Sequence, residues 1–419
     1  MNIDPYLRLM AQKNASDLFF TTGAPPSVKI DGELRYISNK RIEPGQIKEA
    51  AYKLMGDEKA AEFELTKEMN MGLSLKGVGR FRINFYVQRG EVSMVIRYIK
   101  SEIPTIEQIH MPPVLKDLVM NKSGLILVVG ATGSGKSTTL ASMIDYRNTN
   151  TAGHILTIED PIEYVFEHKQ SIVGQREVGL DTLSYDNALR EAMREAPDLI
   201  MIGEIRDHNT MEAAIAFADT GHLALSTLHA INANQALERI VNMFPPEAKN
   251  QVLMDLSLNL KAIVAQRLVP TKDGDRVPAV EILINTPYIA ELIKKGEMGS
   301  MKEVMEKGGS MGMQTFDQSL YELYKAGIVD LQAALANADS RGDLEWRINF
   351  GGGVKSLKKK EERLDFPSDA LGGSGDLDDL QAKAALKETA EEGRLVDEKP
   401  LDDELGDLKP LDEVKVIDD

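Results

Sequence analysis

The chain has 419 residues, 42% hydrophobic and 27% charged, enough apolar material for two or three packed domains. It has no cysteine, which excludes disulfides and thiolate zinc sites and points to a reducing, cytoplasmic compartment. The net charge of −17 is the wrong sign for a protein built to neutralise nucleic-acid phosphates, so no nucleic-acid partner is expected. That charge is uneven: residues 351–419 hold 11 Lys/Arg and 20 Asp/Glu, a net −9, leaving −8 for the rest.

The first residues, MNIDPYLRLMAQKNASD, lack the basic and apolar regions of a signal peptide. The longest apolar runs, such as 125–129, are strand-length and far short of the roughly 20 residues of a membrane helix, so no direct membrane insertion is expected. Residues 1–100 predict a small α+β domain, with short runs broken by Gly23, Pro25, Pro26 and Gly32. Residues 79–100 predict two strands joined at Arg89-Gly90, with arginines at 80, 82, 89 and 97. A linker, 101–122, carries Pro104, Pro112 and Pro113.

Residues 123–350 predict a second domain that opens on a strand at 125–129. Further strands are expected near 155–159, 198–202, 223–227 and 277–284. Helices are expected near 137–147, 185–196, 209–219 and 247–267, followed by a helical C-terminal part that includes 316–326. The alternation implies βα units and a sheet covered by helices on its faces. From 351 to 419 the composition turns to Gly, Asp, Glu, Lys and Leu, which predicts a disordered acidic tail.

The strongest motif is Gly130-Ala131-Thr132-Gly133-Ser134-Gly135-Lys136-Ser137, followed by Thr138. It fits G-x-x-x-x-G-K-[ST] and lies between an expected strand and an expected helix. Glycines let phosphates approach the main chain, whose N–H groups and helix N-terminus cradle anions. Lys136 would neutralise the β- and γ-phosphates of ATP, and the Ser137 hydroxyl would ligate Mg²⁺.

Three further segments could complete such a site. The run Asp198-Leu199-Ile200-Met201-Ile202-Gly203 ends at Glu204, a candidate carboxylate for the metal and its waters; a plain turn cap is the alternative. Thr157-Ile158-Glu159-Asp160-Pro161-Ile162-Glu163-Tyr164 puts three carboxylates after a strand, one of which could orient or deprotonate water; the alternative is a solvated acidic turn. His222 and His229 flank a short strand, where a γ-phosphate sensor is the functional reading and a core histidine the plainer one.

Taken together, these motifs resemble the secretion/type IV pilus ATPase superfamily. TIEDPIEY is similar to its aspartate box, REAPD through GEIRD to its signature segment, and TGHLALSTLHA to its histidine box. The likeness covers roughly residues 1–350. With the P-loop at residue 130 and no tetracysteine insertion, the chain resembles the retraction branch, the PilT/PilU type. RFRINFYVQRGEVSMVIRYIK, SLNLKAIVAQRL and GMQTFDQSLYELYKAG read like the accessory PilU subgroup. One departure supports that placement: Ala290, in Tyr288-Ile289-Ala290-Glu291-Leu292-Ile293-Lys294, stands where the principal motor has arginine.

The resemblance implies a PAS-like domain joined to a RecA-like ATPase domain. It also implies a homo-hexamer with nucleotide at subunit boundaries, and pilus retraction as the output. Glu163 is implied as the catalytic glutamate and Glu204 as the Walker B acid. Arg82 and Arg97 match N-terminal-domain arginines that contact nucleotide phosphates. Expected partners are a principal retraction ATPase and an inner-membrane pilus platform protein. A weakly hydrolysing scaffold ring and a RecA-like nucleic-acid motor are the competing readings.

Overall fold

The computed structural model describes residues 1–350 except 31, 100 and 101; the acidic tail lies outside the described residues. In the N-terminal domain α1 (Asp4–Gln12) leads into β1 (Asp17–Phe20), β2 (Ser27–Ile30) and β3 (Glu33–Tyr36). Then come α2 (Gln46–Thr66), β4 (Glu68–Leu75), β5 (Gly79–Gln88) and β6 (Glu91–Ile99). The six strands form one antiparallel sheet in the order β3-β2-β1-β6-β5-β4.

Strand alternation splits β5 cleanly. Phe81, Ile83 and Phe85 are buried on one face with Leu7, Met10 and Phe63 from the helices. Arg80, Arg82 and Asn84 therefore point from the other face. The β5–β6 hairpin turns at Arg89 (φ 52°) and Gly90 (φ 80°), both left-handed, as a two-residue hairpin loop requires.

A short helix, α3 (Val114–Val119), connects to the second domain. Arg147 fixes this connector by donating to the carbonyls of Val119 (2.7 Å) and Asn121 (2.8 Å). The second domain continues with β7 (Gly124–Val129), α4 (Lys136–Asn150), β8 (Gly153–Glu159), β9 (Ser171–Glu177) and α5 (Tyr185–Ala192). Next are β10 (Leu199–Ile202), α6 (His208–Asp219), β11 (Leu223–Leu228), α7 (Ala233–Met243) and α8 (Lys249–Asn259). The last strands are β12 (Leu260–Pro270) and β13 (Arg276–Ile284), followed by α9 (Pro287–Lys295), α10 (Met301–Lys307), α11 (Phe316–Lys325), α12 (Leu331–Ala336) and α13 (Arg341–Phe350).

The second sheet has seven strands in the order β13-β12-β7-β11-β10-β8-β9. Every pairing is parallel except β12 with β13. Both faces are buried: Leu125, Leu127 and Val129 of β7 enter one core, Ile126 and Val128 the other. This is the doubly covered α/β sheet that the βα alternation implies. Parallel pairing gathers the C-terminal ends of β7, β8, β10 and β11 along one edge, where α/β sheets bind their ligands.

One expectation fails. The stretch 247–267 is not one helix: α8 stops at Asn259, and Leu260 begins β12, parallel to β7 and antiparallel to β13. Ala262, Ile263, Val264 and Ala265 are all fully buried, so the strand has no polar face to produce a period of two. Nor does the residue pattern announce α2 or β9. Among the described residues, no helix is long and apolar enough to cross a membrane.

Candidate active site

The loop between β7 and α4 is shaped by its glycines. A Cβ on Gly130 would collide with Ser134 Oγ and the Gln266 carbonyl oxygen. Gly133 (φ 76°) and Gly135 (φ 91°) take left-handed conformations that a side chain disfavours. Helix α4 then starts at Lys136 with no side-chain cap, so the amides of its first turn have no intrahelical partner. Ser134 Oγ is also buried with no hydrogen bond. Orphan donors around a loop that excludes side chains fit a bound phosphate.

Lys136 folds back over this cradle. Its Nζ donates to the carbonyls of Gly130 and Ala131, both at 2.9 Å, which holds the charge over the loop. Burial lowers its pKa from the usual lysine value, and the nearby carboxylates of Glu204 and Glu163 oppose that. Ser137 lines the same cleft beside Lys136, and Thr138 Oγ1 lies 3.0 Å from the Tyr164 hydroxyl. Thr132 and Gly133 line it too, whereas Ala131 takes part through its carbonyl.

The carboxylates arrive from neighbouring strands. Glu204 follows β10: its Oε1 lies 2.9 Å from His229 Nε2, and its Oε2 accepts from Arg206 Nε at 2.7 Å. Arg206 also reaches Asp160 at 3.5 Å, linking the two acidic segments. Glu159 ends β8 and is buried; its Oε1 accepts from Thr157 Oγ1 (2.7 Å) and Gln175 Nε2 (3.2 Å). Burial pushes its pKa up to about 7 despite those bonds. Glu163 sits farther along the same loop, exposed, and lines the cleft with Glu159, Glu204 and His229. Tyr185 closes one side, and burial raises its phenol pKa.

Three candidates are not brought to this cleft. His222 precedes β11, at the end opposite His229, and the six-residue strand separates the two by about 20 Å. Its Nδ1 lies 3.1 Å from Thr220 Oγ1 and 3.3 Å from the Phe217 carbonyl, so the phosphate-sensor role fails on position. Arg97 is bound by Asp17 at 2.9 Å, and Arg82 faces Glu177 at 3.8 Å. The two arginines are direct cross-strand neighbours on β5 and β6.

The motifs overlook two glutamines. Gln266 on β12 donates from Nε2 to the Ser134 carbonyl (2.6 Å) and accepts from Thr139 Oγ1 (2.9 Å), clamping the loop to its helix. Gln175 on β9 donates to the Tyr164 carbonyl (2.9 Å) and accepts from Phe166 N–H (2.9 Å), pinning the acidic loop. Gln175 lies outside every segment that carries the resemblance, and Gln266, though within SLNLKAIVAQRL, has no role implied there and falls in the stretch expected to be helical.

A glycine cradle, its lysine, and carboxylates on the edges of adjacent parallel strands define a P-loop ATPase. The family model described as "Type II/IV secretion system protein" matches residues 2–309. The chain is 52% identical over 352 residues to the type IV pilus ATPase PilU of Pseudomonas aeruginosa, covering 84% of this chain and 92% of that one. It is 42% identical over 338 residues to the pilus retraction ATPase PilT of the same organism, covering 81% and 98%. A crystal structure of the pilus retraction motor PilT with bound ADP aligns at a TM-score of 0.76 and 43% identity, covering 82% of this chain and 99% of that one. The chain belongs to the type II/IV secretion family, among the PilT/PilU type IV pilus ATPases.

Proposed function

We propose that this chain hydrolyses ATP with Mg²⁺ as a cytoplasmic homo-hexamer and serves pilus retraction as the accessory motor beside a principal one. It would dock on an inner-membrane platform protein. The observation that carries the chemistry is the joined pair Glu204 and His229, set in one cleft with Lys136 and Glu163. Ser137 and Glu204 would hold the metal, which would neutralise charge between the β- and γ-phosphates. Glu163, exposed to the cleft and free to meet water, is the base in this reading.

Glu159 is buried and held by two donors, which suits it to supporting the loop. Arg82 would reach phosphates only in a domain setting other than the one that pairs it with Glu177, and Arg97 only by leaving Asp17, its cross-strand partner in the same sheet. The accessory role draws support from the 52% identity to PilU against 42% to PilT, and from Ala290 on α9. The test is ATP turnover and particle mass of the purified chain, alone and mixed with a PilT-type ATPase. Hexameric mass with turnover, and pilus retraction restored only when both proteins are present, is expected. Full retraction by this chain alone would overturn the accessory role.

A further inference from the structure

Glu177 ends β9 directly beside Glu159, its register partner at the end of β8. Unlike Glu159, it is not among the residues lining the nucleotide cleft. Its side chain is only 2% exposed. One carboxylate oxygen, Oε2, accepts from the backbone N–H of Ile162 at 3.3 Å, one residue before Glu163. The other, Oε1, is buried without a hydrogen bond and lies 3.8 Å from Arg82 Nε of the N-terminal domain.

The turn after β9 does not need this side chain. Its backbone carbonyl already accepts from the N–H groups of Leu180 and Asp181, and its N–H donates to Asp181 Oδ2 at 2.9 Å. A buried carboxylate is costly unless something pairs with it, and here the pairing comes from two different domains. Burial raises its pKa, while the Ile162 amide and Arg82 oppose that rise.

The geometry points to Glu177 as a positioning residue that transmits the setting of the N-terminal domain to the loop bearing Glu163. A shift of Arg82 by about 1 Å would turn the ion pair into a charge-assisted hydrogen bond. Withdrawal of Arg82 leaves Oε1 alone. The carboxylate, and with it the Ile162 amide, follows the arginine. Hydrolysis thereby depends on how the two domains sit. This rests on Glu163 acting as the base.

The test measures kcat and KM for ATP, and affinity for a fluorescent ATP analogue, on the full chain. Glu177→Gln keeps an acceptor for Ile162 and removes the charge that holds Arg82. It should lower kcat by about fivefold or more, with affinity within about twofold of wild type. Arg82→Gln should do the same, and the double variant should be no slower than the slower single. Glu177→Asp, which draws the charge back by one methylene, should show the same split and serves should the amide not fold. A Glu177→Gln kcat equal to or above wild type, or single effects that multiply in the double variant, would overturn the proposal. Absence of turnover in the wild-type chain would instead strike the ATPase reading itself.

Discussion

His229 Nε2 lies 2.9 Å from Glu204 Oε1, so the residue that follows β11 holds the carboxylate that follows β10. Arg206 holds the other oxygen, and Glu204 is thereby fixed from two sides. His229→Ala frees one side while leaving the P-loop cradle intact. Turnover should fall by roughly 10- to 100-fold, with ATP binding little changed. Steady-state phosphate release beside equilibrium nucleotide binding reads the two separately. A kcat like wild type would mean that the Arg206 contact alone positions Glu204.

Lys136→Ala should abolish turnover and weaken nucleotide binding. The side chain spans the loop rather than filling a core, bonded to the Gly130 and Ala131 carbonyls. Its loss removes the charge over the phosphate site, while the amide cradle and sheet persist. The thermal transition without nucleotide should therefore stay close to wild type. Near-normal hydrolysis by this variant would refute the assignment of the loop.

Glu163→Gln should bind ATP and retain it unhydrolysed. The amide keeps the shape of the side chain but cannot take a proton from water. Retained, unhydrolysed ATP after gel filtration is the readout. Normal turnover would shift the base to Glu159 or Glu204, which share the cleft.

What was legible in the sequence followed from local chemistry. The P-loop, the acidic loop and the carboxylate after β10 each carry their own glycines, prolines and apolar strand, so spacing places them at one sheet edge. The helix–strand boundary at Leu260 was not legible, because a strand buried on both faces looks like any apolar run. His222 and His229 look equivalent in sequence; only the direction of β11 separates them. The hairpin arginines Arg82 and Arg97 have partners, Glu177 and Asp17, from distant parts of the chain, which no local pattern reveals.

Gln266 is the residue hidden by that boundary. It is buried and bonds the Ser134 carbonyl and the Thr139 hydroxyl at once. Gln266→Ala leaves both unpaired next to the phosphate cradle. Nucleotide affinity should drop about tenfold, and stability should fall by about 1–3 kcal/mol. Gln266→Glu offers an acceptor to Thr139 but none of the donor that Ser134 needs, so it should also bind poorly. Unchanged affinity in both variants would show that the loop keeps its shape without the clamp.

The pH dependence of stability separates a supporting role for Glu159 from a catalytic one. Burial raises its folded pKa from 4.5 to about 7. A raised carboxyl pKa means that the folded state holds the proton more tightly than the unfolded chain. Its contribution is therefore fully present below about pH 4.5 and is lost as pH rises through about 7. The shift of some two to three units corresponds to roughly 3 kcal/mol between those limits. Glu281, also buried and raised to about 7, adds a similar slope from elsewhere in the domain. Glu159→Gln keeps acceptors for Thr157 and Gln175 but cannot ionise. Relative to wild type it should be near-neutral at pH 5 and more stable at pH 8, while Glu159→Gln/Glu281→Gln should flatten the profile further. Denaturant midpoints across that range supply the measurement. If Glu159→Gln also keeps most of its turnover at pH 8, Glu159 supports the loop, and Glu163 stands as the base. A variant that is equally stable at both pH values relative to wild type would show that Glu159 is already ionised in the fold.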